Sequence, residues 1–216
     1  MRLLLNTRSK GAIIRYSVTD VFNENSPPLE DTLNVMRPLS ISAAAYEGQI
    51  RRSPIYRQSF QMTYSTGKPI TLVTPPDPKY SNGGGFTLVN GVVGRLPWNG
   101  AEWLGYKDNN LEAVIDLGKT SSFNRVRVDV LKDEGSWIYQ PKSIEVLTSN
   151  DGITFTSVKK IGSDEIQKYV RMVMVNTGMN FGRYVKVVVE PAGTIPAGKA
   201  GEGNPAWLFV DEIFIE

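Results

Sequence analysis

The sequence predicts an all-β protein of the antiparallel sandwich type, on two observations. Period-two alternation of apolar and polar residues recurs along the chain, and turn residues separate the alternating runs with no stretch of helical spacing between them. Upstream, AIIRYSV, then LSISAAAY with Ile41, Ala43 and Ala45 alternating, then SPIYRQSFQM read as strands of a small sandwich, joined by the proline-bearing loop NENSPPLED. Pro69, Pro75, Pro76 and Pro78 then suit an extended, donor-poor connector. A domain boundary is placed close to Thr66, giving units 1–66 and 67–216. The first unit is small for an independent fold.

Downstream, RVRVDVL puts Val126, Val128 and Val130 on one face and Arg125, Arg127 and Asp129 on the other. KSIEVLTSNDGITFTSV reads as a hairpin with Asn150, Asp151 and Gly152 in the turn and Ile153 and Phe155 on the return strand. KYVRMVMV, RYVKVVVE and AWLFVDEIFIE add further strands.

Composition narrows the function. Of 216 residues 41% are hydrophobic, enough for a core, and a net charge of +2 from 24 basic and 22 acidic residues leaves no footprint for nucleic acid. With no cysteine and no histidine, thiolate nucleophiles, Ser-His-Asp catalysis and His-bound transition metals are excluded. MRLLLN is too short an apolar run for a signal segment or a membrane span, so any export address is expected outside the chain.

The run SNGGGFTLVNGVVG invites a phosphate-loop reading, but no Lys-Ser/Thr pair follows its last glycine and Gly85 leads into the strand-like FTLV. A flexible entry to the first strand of the second unit is expected instead. Four adjacent acidic pairs raise the question of glycoside hydrolysis. On a strand, neighbours such as Asp211 and Glu212 point to opposite faces and cannot flank one bond. Glu212 should lie on the apolar face of Leu208, Val210 and Phe214, where a carboxylate needs a partner: a hard cation, or an Arg or Lys.

Two loops mix aromatics with polar groups. WNGAEWLGYKDNN carries Trp98, Trp103 and Tyr106, and KDEGSWIYQP carries Asp133, Trp137 and Tyr139. A sugar site uses such a mixture, because a ring packs on the C–H face of a pyranose while polar groups take the hydroxyls. Trp98, Trp103, Trp137 and Tyr139 are the candidate stacking residues and Asp133 a candidate acceptor. Plugging of the sandwich ends by the same rings is the alternative.

In order, TGKPITLVTPPDPKYSNGGGFTLVNGVVG, EWLGYKDNNLEAVIDLGKTSSFNRVRVDVLKDEGSWIYQPKSIEVLTSNDGITF and AWLFVDEIFIE resemble the C-terminal discoidin-like (coagulation factor 5/8 type C) domain of bacterial β-N-acetylhexosaminidases of the chitobiase type, over about residues 67 to 216. IIRYSV…PLSISAAAYEGQIRRSPIYRQSF resembles the small Ig-like, fibronectin-III-associated segment that precedes it in such enzymes.

The resemblance implies a jelly-roll sandwich like the family-32 carbohydrate-binding modules, with end loops that bind terminal N-acetylhexosamine or galactose-type sugars. It also implies an exported parent enzyme, in the periplasm or at the cell surface, whose N-terminal catalytic barrel is a partner of this non-catalytic chain. A structural calcium ion is implied, held by a D-G loop and a last-strand Glu. The matching positions are Asn90-Gly91 and Glu212, and Asn90 stands where the family has aspartate. A buttress for the barrel without sugar binding, or a residual glycosidase, are the competing functions.

Overall fold

The computed structural model describes residues 1–81, 83–96, 98 and 102–216. The chain divides into two compact units, Met1–Met62 and Thr63–Glu216. The second begins ahead of the expected Gly67 because Ser65 is buried within it, donating through Oγ to Ile213 O at 2.7 Å and accepting from Ile215 N at 3.2 Å.

The first unit holds strands β1 (Arg2–Leu4), β2 (Ile13–Ser17), β3 (Thr32–Asn34), β4 (Leu39–Glu47), β5 (Ile50–Arg51) and β6 (Tyr56–Phe60). β1 pairs with β3, and β4 pairs with β2, β5 and β6, all antiparallel. Ile41, Ala43 and Ala45 are buried as the alternation predicts. Ala44 and Tyr46 are buried too, so both faces of β4 are covered over that stretch.

The second unit holds β7 (Ile70–Leu72), β8 (Leu104–Tyr106), β9 (Leu111–Val130), β10 (Ser143–Ser149), β11 (Thr156–Gly162), the short helix α1 (Ser163–Ile166), β12 (Met172–Glu190) and β13 (Leu208–Ile215). The strands run in the order β11-β10-β12-β9-β13-β8, with β7 against β9. β9 and β12 pair along most of their length, with register shifts between Asn176 and Asn180 and between Gly182 and Tyr184. β7 and β10 therefore join the Leu111 end of the ribbon, and β13 joins the Val130 end. Side chains from both ends, among them Ile115, Val187, Val128 and Ile213, meet in one buried core, which makes the unit a β-sandwich.

Two expectations, for FTLV and for the hairpin, are corrected by the backbone, and the extended proline connector is filled in. FTLV is no strand: Gly84–Val89 forms a 3-10 helix after Gly83 and Gly84 take positive φ, which breaks an extended path and turns Leu88 and Val89 into the core. The proline connector contains the edge strand β7, with Pro78 starting a 3-10 turn capped by Asp77. The hairpin loop is longer than a tight turn, because Asp151 Oδ1 accepts from the N–H groups of both Ile153 and Thr154 and leaves Ile153 exposed.

Candidate functional site

At one end of the sandwich the segment between β9 and β10 folds back on itself. Asp133 and Ile138 exchange backbone hydrogen bonds of 2.9 and 3.0 Å across a 3-10 turn, Glu134–Ser136. The Asp133 side chain accepts from Ser136 Oγ at 2.7 Å. Trp137 follows in the left-handed region, φ 64°, the one non-glycine to do so among the described residues. Such a conformation persists for a bulky residue only where its surroundings enforce it. Here Trp137 O accepts from Trp207 N at 2.8 Å, and the indole lies so close to Gly201 that a Cβ there would collide with it. Trp137 remains 37% exposed.

Beside this turn opens a cleft of about 460 Å³, with Lys132, Glu134, Tyr139, Gln140 and Lys142 on its walls and Ser163 and Gln167 from the α1 region opposite. Glu134 bridges Lys199 at 3.0 Å and Lys132 at 3.2 Å. Hydrogen bonds from those two lysines hold its carboxyl below the usual range, and Glu134 in turn raises Lys199. Lys142 pairs with Glu190 at 2.8 Å. The wall thus presents donors and acceptors fixed in place, with one partly exposed indole on the adjoining turn.

Asp133, Trp137 and Tyr139 therefore lie together on one loop. Tyr139 lines the cleft, and its Oη is turned inward, buried without a partner. Trp98 stands apart, partly buried edge-on against Tyr80 (5.6 Å) and Phe209 (5.4 Å); its neighbours Pro97, Asn99, Gly100 and Ala101 lie outside the described residues. Trp103 is 1% exposed, packs with Leu131, Ile138 and Phe209, and donates through Nε1 to Arg95 O at 3.0 Å. Its ring is thus covered by the core, whereas Trp137 and Trp98 keep part of their surface exposed.

A second constellation lies on the other side of β13 from the core. Val210 pairs with Val130 and Glu212 with Asp129, so Asp211 is the extra residue of a β-bulge. The bulge overturns two expectations. Leu208, Val210, Ile213 and Ile215 face the core, whereas Glu212 and Phe214 take the outer face, not the face of Leu208 and Val210. Alternation also fails at Asp211, which is gathered on the same side as Asp129.

Asp129, Asp211 and Glu212 are all 0% exposed. Arg171 donates to Asp129 through Nε at 2.6 Å and Nη2 at 2.5 Å, and to Gly94 O at 2.6 Å. Its guanidinium stacks 4.7 Å from the Trp103 ring centroid. Gly94 N donates to Asp211 Oδ2, and Gly91 N donates to both Glu212 oxygens at 3.2 Å. Burial, with Asp129 alongside, raises the Asp211 carboxyl to about 10, and burial pushes Glu212 well above its usual range. The sequence placed Asp129 on the outer face of its strand and Asp211 opposite Glu212, and did not single out Arg171; only the bulge reveals that the three converge.

The F5/8 type C domain family matches residues 76–202. The chain belongs to this family. No curated protein matches it. Among solved structures, the F5/8 type C chain is similar to chitosan-binding module 1 of a chitosanase/glucanase from Paenibacillus sp. IK-5, at 13% identity and TM-score 0.48, over 72% of this chain and 99% of that one. It is also similar to a fucose binding module of Streptococcus pneumoniae, at 17% identity and TM-score 0.48, over 71% and 94%. A third similar structure is the C-terminal domain of a chitobiase from Bacteroides fragilis, at 18% identity and TM-score 0.47, over 70% and 95%. No helix among the described residues is long and apolar enough to cross a membrane.

The calcium ion expected of this F5/8 type C domain can be tested on the donor set at Asn90 and Glu212. The two residues do lie at one turn. Glu212 is surrounded by the backbone N–H groups of Gly91, Asn90 and Val92, of which Gly91 donates to both its oxygens, and by the Asp129 carboxylate. Asn90 Oδ1 accepts from Val92 N at 2.6 Å. Calcium requires six to eight oxygen ligands, roughly. Among the described residues no three acidic side chains converge on a point a metal could occupy. Next to Glu212, Asp211 Oδ1 is buried with no hydrogen-bond partner, and burial raises both carboxyls, so acidic oxygen remains at this turn that the protein itself does not satisfy.

Proposed function

We propose that the second unit is a non-catalytic carbohydrate-binding module whose site is the Asp133–Lys142 loop and its cleft. The observation that carries this reading is Trp137, a partly exposed indole held in a strained backbone conformation beside a polar cleft. A packing role alone would not require a tryptophan there, since φ 64° favours glycine. A pyranose laid on the indole would bring its hydroxyls to Glu134, Lys132 and Gln140, whose polar groups are already positioned by their partners. The cleft volume suits one or two sugar units.

Catalysis is not part of the proposal: the gathered carboxylates Asp129, Asp211 and Glu212 are buried, and Glu134 is tied to two lysines. The motif resemblance further suggests that the chain serves a β-N-acetylhexosaminidase as its exported accessory region, with terminal N-acetylhexosamine or galactose-type sugars as ligands.

A glycan array followed by titration calorimetry tests the reading. Saturable binding with a Kd in the micromolar to low millimolar range is expected for at least one such sugar. No binding to any of them at high protein concentration would leave the buttress role in its place.

A further inference from the structure

The cleft beside Trp137 is unequal in what it can still offer a ligand. Glu134 Oε1 already meets Lys132 at 3.2 Å and its Oε2 meets Lys199 at 3.0 Å. Glu190, which pairs with the wall residue Lys142, has Oε1 on that lysine and Oε2 on Ser143 Oγ, both at 2.8 Å. All four carboxylate oxygens therefore accept at least once, while an ammonium group has three N–H donors and spends one here. The cations also stand outermost: the side chains of Lys132, Lys142 and Lys199 are 48%, 65% and 54% exposed, against 33% for Glu134 and 32% for Glu190. Other acids close by in sequence do not restore the balance. Asp133 accepts from Ser136 Oγ within its own turn, and α1 lines the cleft with Ser163 and Gln167 rather than with Asp164 or Glu165.

We infer that the saccharide taken by this cleft is an acidic one, whose carboxylate or sulfate group is held by the ammonium groups of Lys132, Lys142 and Lys199 while its ring lies on Trp137. The inference rests on the proposed sugar site and names the class of its ligand. A neutral pyranose brings hydroxyls that must donate as well as accept, and the walls are short of uncommitted acceptors; a carboxylate or sulfate only accepts. The loop that packs Gly201 on the indole also carries Lys199, so one ammonium group belongs to the same strap that backs the stacking ring. Lysine is a compact point charge with rotatable donors, so it suits either anion.

The test compares matched pairs by calorimetry on the full chain, galacturonate against galactose and N-acetylglucosamine 6-sulfate against N-acetylglucosamine, with the Trp137 indole resonance marking the site. Two or three exposed ion pairs should favour the acidic member of at least one pair by about five- to thirtyfold at low salt. Raising NaCl to about 0.5 M should remove most of that preference. The pair in which it appears tells a uronate from a sulfate ester. Lys132→Gln combined with Lys142→Gln, both exposed and expected to fold, should cut the acid-to-neutral ratio by about threefold or more. Acidic and neutral sugars bound equally at the Trp137 indole would overturn the inference and leave the sugar site standing, as would a preference that the lysine variant keeps. No saturable binding of any of the four would overturn the sugar site itself, and this inference with it.

Discussion

Replacing Arg171 with methionine removes the cation over Asp129 while keeping much of the side-chain volume against Trp103. Asp129 is fully buried, and its two hydrogen bonds from Arg171 are 2.6 and 2.5 Å long. Leaving such a carboxylate without its partner costs about 3 to 5 kcal/mol, and the lost donation to Gly94 O adds about 1 kcal/mol. For a domain of this size each kcal/mol lowers Tm by about 2 to 4 °C, so the second unit should melt about 10 to 20 °C lower. Thermal and urea unfolding followed by circular dichroism would measure it. Arg171→Met combined with Asp129→Asn should recover at least about 2 kcal/mol relative to Arg171→Met alone, because the orphaned charge is gone. A cost below about 1 kcal/mol for Arg171→Met, or no recovery in the double variant, would refute the assignment of Arg171 as the cation that balances Asp129.

Trp137→Gly should weaken sugar binding by about tenfold or more in calorimetry while changing stability by less than about 1 kcal/mol, since relief of the left-handed strain offsets lost packing on Gly201. Gly94→Ala should destabilise by about 2 kcal/mol or more in urea unfolding, because the added methyl meets Asp211 and Trp103. The Asp211 carboxyl, raised in the fold from 3.8 to about 10, binds a proton that the unfolded chain releases, so its contribution to stability is complete below 3.8 and is lost as pH rises toward 10. Unfolding midpoints should therefore decline through the neutral and alkaline range, and a flat profile there would count against a protonated Asp211. Glu134 acts in the opposite sense: its carboxyl is lowered by Lys199 and Lys132, so the tie between its loop and Lys199 should loosen, and sugar affinity fall, as pH drops through the carboxylate range.

Much of the fold was legible because period-two patterning is set by which face meets the core. Val126, Val128 and Val130 are buried as their spacing implies, and the strands around Ile41, Ile144 and Val187 follow the same rule. What the pattern hides is any change of register. The bulge at Asp211 reverses the facing of Glu212 and Phe214, and nothing local to VDEIF marks it. Asp129 looked solvent-facing for the same reason: alternation says which side a residue takes, and not that Arg171 and the 90–95 loop cover that side. FTLV has strand-like composition, yet positive φ at Gly83 and Gly84 sends it into a helical turn. Of the aromatic residues, composition grouped Trp103 with Trp137, and only burial separates a core indole from an exposed one.

In the proposed site Trp137 forms the stacking face for a sugar. Titrating the ¹⁵N-labelled full chain with N-acetylglucosamine, N-acetylgalactosamine and galactose while following the indole N–H resonances addresses it directly. With at least one sugar, the Trp137 indole signal should move saturably while that of Trp103, buried and bonded to Arg95 O, stays in place. Saturable binding that leaves the Trp137 signal unmoved, or no saturable shift with any of them, would contradict the claim.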